Sequence, residues 1–347
     1  MRVLIFTISF FFIASYSIAQ TNGEMRNKNT NNAEPEIMNE EIFIPDSSVI
    51  NVNSSIEKLK KSRPSKKELK TKTSYDLAIP AESANEKDGF GSVQLNQAAY
   101  QEATYNFEYN AEQSSLQRQQ RTPSYSQQQE MDAVVNYFES SDPTSFEFNY
   151  YKYVAGNYDV GLIDNLEKAE GIRPNNSDVH VQKAAYNMIL NKDQETLIYL
   201  EKLVDEKRLS KDIINYAEDL LLSVPDSGLL ITHGFDDTYS TFYKQLKENV
   251  REDVTIMSLD FMQSEAFRKD LKSKGLKIPE SSVVDVNFLK KFCSLNSDKD
   301  ISVSLTTPKE YFEPIQDNLY VVGLVFEYHE KAFDNFHRND DLWNSSL

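Results

Sequence analysis

The spacing of apolar residues changes at about Met131. Before it, aliphatic side chains are sparse except in a short run at the start of the chain. After it, apolar residues recur every three to four positions, which predicts amphipathic helices. The predicted helices cover 132–139, 144–155, 178–190, 194–206 and 210–223, with a further helix inside 156–176. Asp142 and Pro143 mark a stop and a restart between the first two. The pattern therefore predicts two helical hairpins and one extra helix.

A second pattern begins at Leu229. The continuous apolar run Leu229–Thr232 predicts a buried strand, and strands and helices then alternate. The predicted strands cover 229–232, 254–259, 301–305 and 319–326, and the predicted helices cover 238–249, 264–274 and 286–295. Alternation implies parallel pairing with right-handed crossovers, although the longer last strand could be an antiparallel edge. The fold class is therefore α plus α/β: helical hairpins, then a small, mostly parallel Rossmann-like sheet with flanking helices.

The first 19 residues have the pattern of a secretory signal peptide. Arg2 precedes an apolar run to about Ala14, and Ser17 and Ala19 occupy the small-residue positions of a cleavage site. The run is shorter than the roughly 20 residues that span a bilayer, although an uncleaved anchor stays open. We expect cleavage after Ala19, no transmembrane span afterwards, and export to the periplasm or cell surface of a Gram-negative bacterium.

Residues 20–130 are rich in Asn, Gln, Ser, Lys and Glu. Such a composition buries too little apolar area to offset the entropy of ordering, so we predict a disordered polar linker. We allow one exception to this disorder, a docked segment around Tyr100 to Tyr109. The predicted organisation is a signal peptide (1–19), the linker (20–130), a helical repeat-like domain (131–226) and an α/β domain (227–347). The short link from Leu222 to Leu229 favours one shared core for the last two.

Composition excludes several functions. A net charge of −17 disfavours nonspecific nucleic-acid binding. The single cysteine, Cys293, cannot form an internal disulfide, and its neighbours Leu289 and Phe292 predict a buried core thiol. The four histidines are scattered, so we predict no metal site. No glycine-rich phosphate or dinucleotide motif is present, so we predict no cofactor.

The stretch 156–176 resembles the second half of a tetratricopeptide repeat. Gly156 and Tyr158 form the turn that opens the helix, Ala169 is the small packing position, and Pro174 begins the Pro-Asn-Asn end of the unit. Gly161 stands where alanine is usual in that family. The resemblance implies helical hairpins that cannot bury their apolar faces alone, so they need a neighbouring domain as support.

A second resemblance covers roughly 217–335. The matching residues lie in a loop, at the entry to the second strand and near the end of the domain: Gly234, Asp237, Thr238, Tyr239, Arg251, Asp253, Val254, 320–324 and 333–335. This pattern is similar to the soluble extracytoplasmic C-terminal tail of bacterial multi-pass membrane proteins related to protein O-mannosyltransferases. His233, Phe235, Asp236 and Ser240 depart from it. The resemblance implies an extracytoplasmic accessory domain, and no residue carries over as catalytic.

The candidate binding loop follows the first strand and opens a helix, where open α/β sheets bind ligands. Its candidate residues are His233, Gly234, Asp236, Asp237, Thr238 and Tyr239. Helix-start amides accept an anion, but Asp236 or Asp237 could cap them instead. These adjacent carboxylates diverge, which is a poor general acid–base geometry.

A second candidate surface consists of the surplus aromatics Phe146, Tyr150 and Tyr153 of the helical part. Two functions follow from the two candidates. The first is a noncatalytic exported scaffold that binds protein partners in an envelope assembly for secretion or surface display. The alternative is a glycan- or small-ligand-binding domain, with enzymatic activity left open, that uses the His233 loop. A deep cleft at that loop favours the alternative, whereas a closed sheet mouth beside an exposed aromatic face favours the scaffold.

Overall fold

The structure, a computed structural model, describes residues 89–345, with side chains over 97–344. The predicted signal peptide, its cleavage site and the linker up to residue 88 lie outside this range. All described residues belong to one compact unit, Asp76–Leu347. Among the helices of this part of the chain, none has both the length and the apolar character needed to cross a membrane.

Seven helices form the first half. They are α1 (Gly89–Ser115), α2 (Tyr125–Ser141), α3 (Phe146–Ala155), α4 (Ile163–Ile172), α5 (Ser177–Ile189), α6 (Asp193–Asp205) and α7 (Lys211–Leu222). Side-chain oxygens of Ser124, Ser145, Asn176 and Ser210 accept backbone amides at four of the helix starts. These caps explain why the helices begin after short polar turns.

Helix α1 corrects the predicted disordered linker. Tyr100, Ala103, Phe107 and Ala111 are spaced by three, four and four residues, so they share one face of the helix. That face packs in a cluster with α2 and α3, where the Phe107 and Tyr151 rings stack at 4.0 Å. The prediction of a disordered linker is therefore wrong for the described residues up to 130. The structure contains the one exception that the sequence analysis allowed, a docked segment around Tyr100.

The sheet has five strands in the order β2-β1-β3-β5-β4. They are β1 (Leu229–Thr232), β2 (Thr255–Ser258), β3 (Ile301–Ser304), β4 (Leu319–Val322) and β5 (Val325–Tyr328). Strands β2 and β3 pair parallel with β1, whereas β5 pairs antiparallel with both β3 and β4. Only β5 is therefore reversed, and the predicted fold class is confirmed.

The predicted single strand 319–326 is wrong, because the chain reverses there in a two-residue hairpin turn. Val322 pairs with Val325, and Gly323 between them has φ +53°. Glycine adopts this left-handed region without steric penalty. The remaining helices are α8 (Gly234–Glu248), α9 (Glu265–Ser273), α10 (Val286–Leu295), α11 (Lys309–Phe312) and α12 (Asn335–Ser345). Helix α12 was not predicted.

One core joins the helical half to the sheet. Met188 and Leu203 of the helices lie in the same buried cluster as Met257 of β2 and Phe288 of α10. Cys293 belongs to this cluster and is fully buried, as predicted, so its thiol is a packing group. The hairpins therefore rest on the α/β half, as their small number requires.

Candidate functional site

The carboxyl ends of β1 and β3 mark the point where the connections diverge. From β1 the chain passes through helix α8 to β2, which is the neighbour of β1 on one side. It then crosses back to β3, which is the neighbour of β1 on the other side. This is the place where open α/β sheets bind ligands. The segment His233–Tyr239 lies here, but α8 begins at Gly234 rather than near Thr238, so most of the predicted loop is the first turn of the helix.

Asp237 and Thr238 are buried in this position. Asp237 is 2% exposed and accepts a hydrogen bond from the Thr306 hydroxyl after β3. Burial raises the pKa of Asp237. The Thr238 hydroxyl lies 2.8 Å from the Thr232 hydroxyl and 3.2 Å from that of Ser258. These polar groups therefore join the ends of β1, β2 and β3 to one another.

Asp260, after β2, takes the capping role expected of Asp236 or Asp237. The Gly234 amide donates to its Oδ2 at 2.7 Å, and the Arg121 Nε donates to its Oδ1 at 2.6 Å. Burial opposes ionisation of this carboxyl, but the charge of Arg121 and the hydrogen bonds from Arg121 and the Gly234 amide outweigh it and lower the pKa of Asp260. The anion site predicted at the helix start is therefore filled by a carboxylate from the neighbouring strand.

Arg121 belongs to a segment that we call the strap, residues 117–122. The strap pairs with the chain before α10: the Arg121 amide donates to the Val284 carbonyl at 2.7 Å, and the Val286 amide donates to the Gln119 carbonyl at 3.2 Å. Arg121 also donates to the carbonyls of Ser115 and Gln117. The strap and its arginine thus close the mouth of the sheet.

The remaining predicted loop residues do not converge. Asp236 is exposed, whereas Tyr239 is buried and donates to the Val181 carbonyl of α5 at 3.1 Å. The Nε2 atom of His233 is buried and has no hydrogen-bond partner among the described residues. Burial lowers the pKa of His233 to about 4, so the ring is neutral at pH 7. A ligand-binding role for these six residues stays a prediction.

The aromatic trio of the helical part is not an exposed patch. Phe146 and Tyr153 are buried, and Tyr150 stacks on Phe146 with ring centroids 5.3 Å apart. They fill the space between helices because α3 is covered on several sides. The exposed aromatic pair lies instead on α1, where Tyr105 and Tyr109 are 65% and 49% exposed and stack at 6.1 Å.

A cavity of about 820 Å³ lies between α1, α3 and the start of α5. Its walls carry charged and aromatic side chains, including Glu108, Glu112, Tyr150, Tyr158, Arg173 and Arg208. The sequence interpretation missed it because one wall is α1. The spacing of Tyr100, Ala103 and Phe107 is the signal that could have found that helix.

Each arginine of the cavity wall has a carboxylate partner. Arg173 contacts Glu147 at 2.6 Å and lies 4.0 Å from the centre of the Phe146 ring. Arg208 lies 3.4 Å from Asp178. With Arg121 held by Asp260, the positive charges of the wall are neutralised within the protein.

Comparison with known protein families gives a match over part of the chain. Residues 213–334 match the family described as TMEM260-associated domain 2. The matched residues run from within α7 to just before α12. The match fits the tail of a protein related to O-mannosyltransferases and covers nearly the same residues as the resemblance in the sequence. Searches among curated proteins and solved structures gave no match.

Proposed function

We propose that this chain is a noncatalytic interaction protein that holds a segment of a protein partner in the cavity between α1, α3 and α5. It is exported to the periplasm or surface of a Gram-negative bacterium, where it serves as a scaffold of an envelope assembly for secretion or surface display. The proposal rests on a difference between the mouth of the sheet and the neighbouring cavity. The sheet mouth contains the chain's own Arg121, whereas the cavity beside it, about 820 Å³, is open to a ligand.

The closed mouth supports a binding role over catalysis at the sheet. A ligand at the usual position would have to displace Arg121 from Asp260, and both side chains are buried. Breaking a buried ion pair by removing one partner costs several kcal/mol. The cavity demands no such displacement, because its three arginines stay in their ion pairs when a ligand enters.

Export rests on the signal-peptide pattern and on the family match of the C-terminal half. The family resemblance implies an accessory domain outside the cytoplasm, which agrees with cleavage after Ala19. N-terminal sequencing of the protein from its native cell should give Gln20 as the first residue. An intact Met1 on that protein would contradict export by this route.

Filling the cavity tests the binding role. Ala111 lines the cavity, and Ala98 lies on the same helix but is exposed, so Ala111→Trp and Ala98→Trp add the same indole inside and outside the site. Each variant is used as bait on detergent-solubilised envelope, with mass spectrometry as the readout. Ala111→Trp should lose partners that wild type and Ala98→Trp retain. Identical partner sets for all three baits would refute the cavity as the binding site.

The alternative, a glycan or small ligand at the His233 loop with enzymatic use left open, has one observation in its favour. The buried Nε2 of the neutral His233 ring has no partner among the described residues, and a sugar hydroxyl, which both donates and accepts, could satisfy it in either tautomer. Such a ligand must displace the strap, so Arg121→Met should bind oligosaccharides on a glycan array more tightly than wild type. His233→Phe in the same background should remove that binding. If Arg121→Met binds no glycan, the alternative fails.

A further inference from the structure

The cavity has an excess of carboxylates once its ion pairs are taken into account. Its wall contains five acidic side chains and three arginines. The acids are Glu108, Glu112, Glu147, Asp178 and Asp260, and the arginines are Arg121, Arg173 and Arg208. Each arginine is within 3.4 Å of one acid. Glu108 and Glu112 are left over, and no cation of the described residues forms an ion pair with either.

Unpartnered hydroxyl groups line the same cavity. The Thr104 hydroxyl lines the wall, is buried and has no hydrogen-bond partner among the described residues, and the buried Ser114 lines the same wall. Tyr150 and Tyr158 also line the wall, and burial raises the pKa of both hydroxyls, so they stay protonated and can donate. A buried polar group without a partner is costly in an empty site, so these oxygens favour a polar ligand.

The aromatic rings of the wall are already occupied by other protein groups. Tyr150 stacks on Phe146, the Arg173 guanidinium covers Phe146, and Tyr151 stacks on Phe107. The acceptors left to a ligand therefore include carboxylate and hydroxyl oxygens and the buried, unpartnered amide oxygen of Gln263. An alkylammonium group, with three N–H donors and a positive charge, matches that set.

The geometry of α1 sets the spacing of these groups. Glu108 and Glu112 are four residues apart on one helix, so they share a face and are separated by about 6 Å along the axis. In an extended peptide, side chains two residues apart share a face and are separated by about 6.6 Å. The lining of α1 runs from Thr104 to Ser115, roughly 16 Å, which accommodates about five extended residues.

We propose that the cavity takes an extended, lysine-bearing segment of the partner protein, in which a Lys-x-Lys pair places one ammonium at Glu108 and the next at Glu112. The Tyr151 hydroxyl donates to Glu108 at 3.1 Å and fixes the position of that carboxylate. The hydroxyls of Ser114, Tyr150 and Tyr158 accept or donate the remaining hydrogen bonds of the ligand. This inference rests on the proposed function, because it names the chemistry of the partner in the same cavity.

The test compares two dye-labelled nine-residue peptides in glycine–serine frames, one with Lys-Ser-Lys and one with Lys-Lys-Ser at the centre. Fluorescence anisotropy is measured with the whole mature chain, from Gln20 to Leu347. Adjacent lysines point to opposite sides of an extended chain, so Lys-Ser-Lys should bind about fivefold to tenfold more tightly. Equal affinities of the two peptides would overturn the proposed register.

Variants on α1 locate the site. Glu108→Gln combined with Glu112→Gln should weaken the Lys-Ser-Lys peptide about tenfold, whereas Glu102→Gln, which removes an acid of α1 outside the cavity, should leave its affinity unchanged. Circular dichroism checks that each variant keeps its helix content. An equal loss in Glu102→Gln would show that only overall charge matters and would overturn the proposal. Displacement of the peptide by an equal concentration of spermidine would also overturn the proposal, because the site would then recognise amines that are not part of a peptide.

The results separate this inference from the proposed function. If neither peptide binds while Ala111→Trp still loses envelope partners, the lysine chemistry is wrong and the interaction role stands. If Ala111→Trp retains every partner, the cavity is not the interaction site, whatever the peptides do.

Discussion

Replacing Arg121 with methionine tests the closure of the sheet mouth. The substitution keeps an unbranched side chain but removes the guanidinium that lies 2.6 Å from Asp260. The two side chains are 6% and 11% exposed, so the pair is buried and its loss leaves a carboxylate without a counter-charge. Removing one partner of such a pair costs about 3–5 kcal/mol. The hydrogen bonds to the Ser115 and Gln117 carbonyls are lost as well.

The matched control is Arg118→Met in the same strap. Arg118 pairs with Glu310 at 3.0 Å but is 62% exposed, so its loss should change stability by less than about 1 kcal/mol. Urea denaturation of the chain from Gln20 to Leu347 gives both free energies of unfolding. For a unit of this size the Arg121 variant should also melt about 10 °C lower. Equal costs for the two substitutions would refute the reasoning, because the strap would then be a surface contact.

The pH dependence provides a separate check. The pKa of Asp260 lies below its ordinary value of about 4 because the Arg121 charge and the hydrogen bonds to this carboxyl outweigh burial. A lowered carboxyl pKa contributes stability above about pH 4, and that stability is lost as the pH falls through the folded value. In Arg121→Met burial acts alone and raises the pKa. The difference between wild type and Arg121→Met should therefore be larger at pH 7 than at pH 3.5. Adding Asp260→Asn to Arg121→Met should restore part of the loss at pH 7, since no unpaired charge remains.

Three further outcomes follow from the core. Tyr239→Phe removes the hydrogen bond to the Val181 carbonyl and should lower the free energy of unfolding in urea by about 1 kcal/mol. Tyr243→Phe is the control, because Tyr243 makes no such bond to a described residue. A similar loss of stability in the control would count against the role of the Tyr239 hydrogen bond. Burial raises the pKa of the Cys293 thiol to about 12, so iodoacetamide should label it at pH 8 only after unfolding, and labelling of the folded chain at the unfolded rate would contradict its burial. Residues 89–226 expressed alone should not melt cooperatively, because their apolar face rests on the sheet, and a cooperative, monomeric melt would show an independent domain.

Local patterns predicted most elements of this fold. The strand at Leu229–Thr232 and the helix at Val286–Leu295 have the predicted bounds, because a continuous apolar run and a capping aspartate are signals within a few residues. Helix α1 lies in a segment whose polar composition predicts disorder, because alanine and aromatic residues form its buried face, with few aliphatics. The hairpin at Gly323 was missed because the apolar run continues across it without polar turn residues.

The site could be predicted only in part. Sequence placed the His233 segment at the carboxyl end of β1, where the structure has it. It could not place Arg121 beside Asp260, because 139 residues separate the two and neither lies in a local motif. The cavity depends in the same way on α1 meeting α3 and α5, a tertiary contact without a local signature.

The strap also has a consequence for the order in which the chain folds. Arg121 meets a residue 139 positions later, and Arg118 meets one 192 positions later. At a synthesis rate of roughly 5–20 residues per second, the strap waits on the order of ten seconds for Asp260 to be made. Contacts of such sequence separation also form slowly in the complete chain. Helices α1 to α3 can assemble early, whereas the mouth of the sheet cannot close until Asp260 and Glu310 have been made. Until then Arg121 lacks its counter-charge in the growing chain.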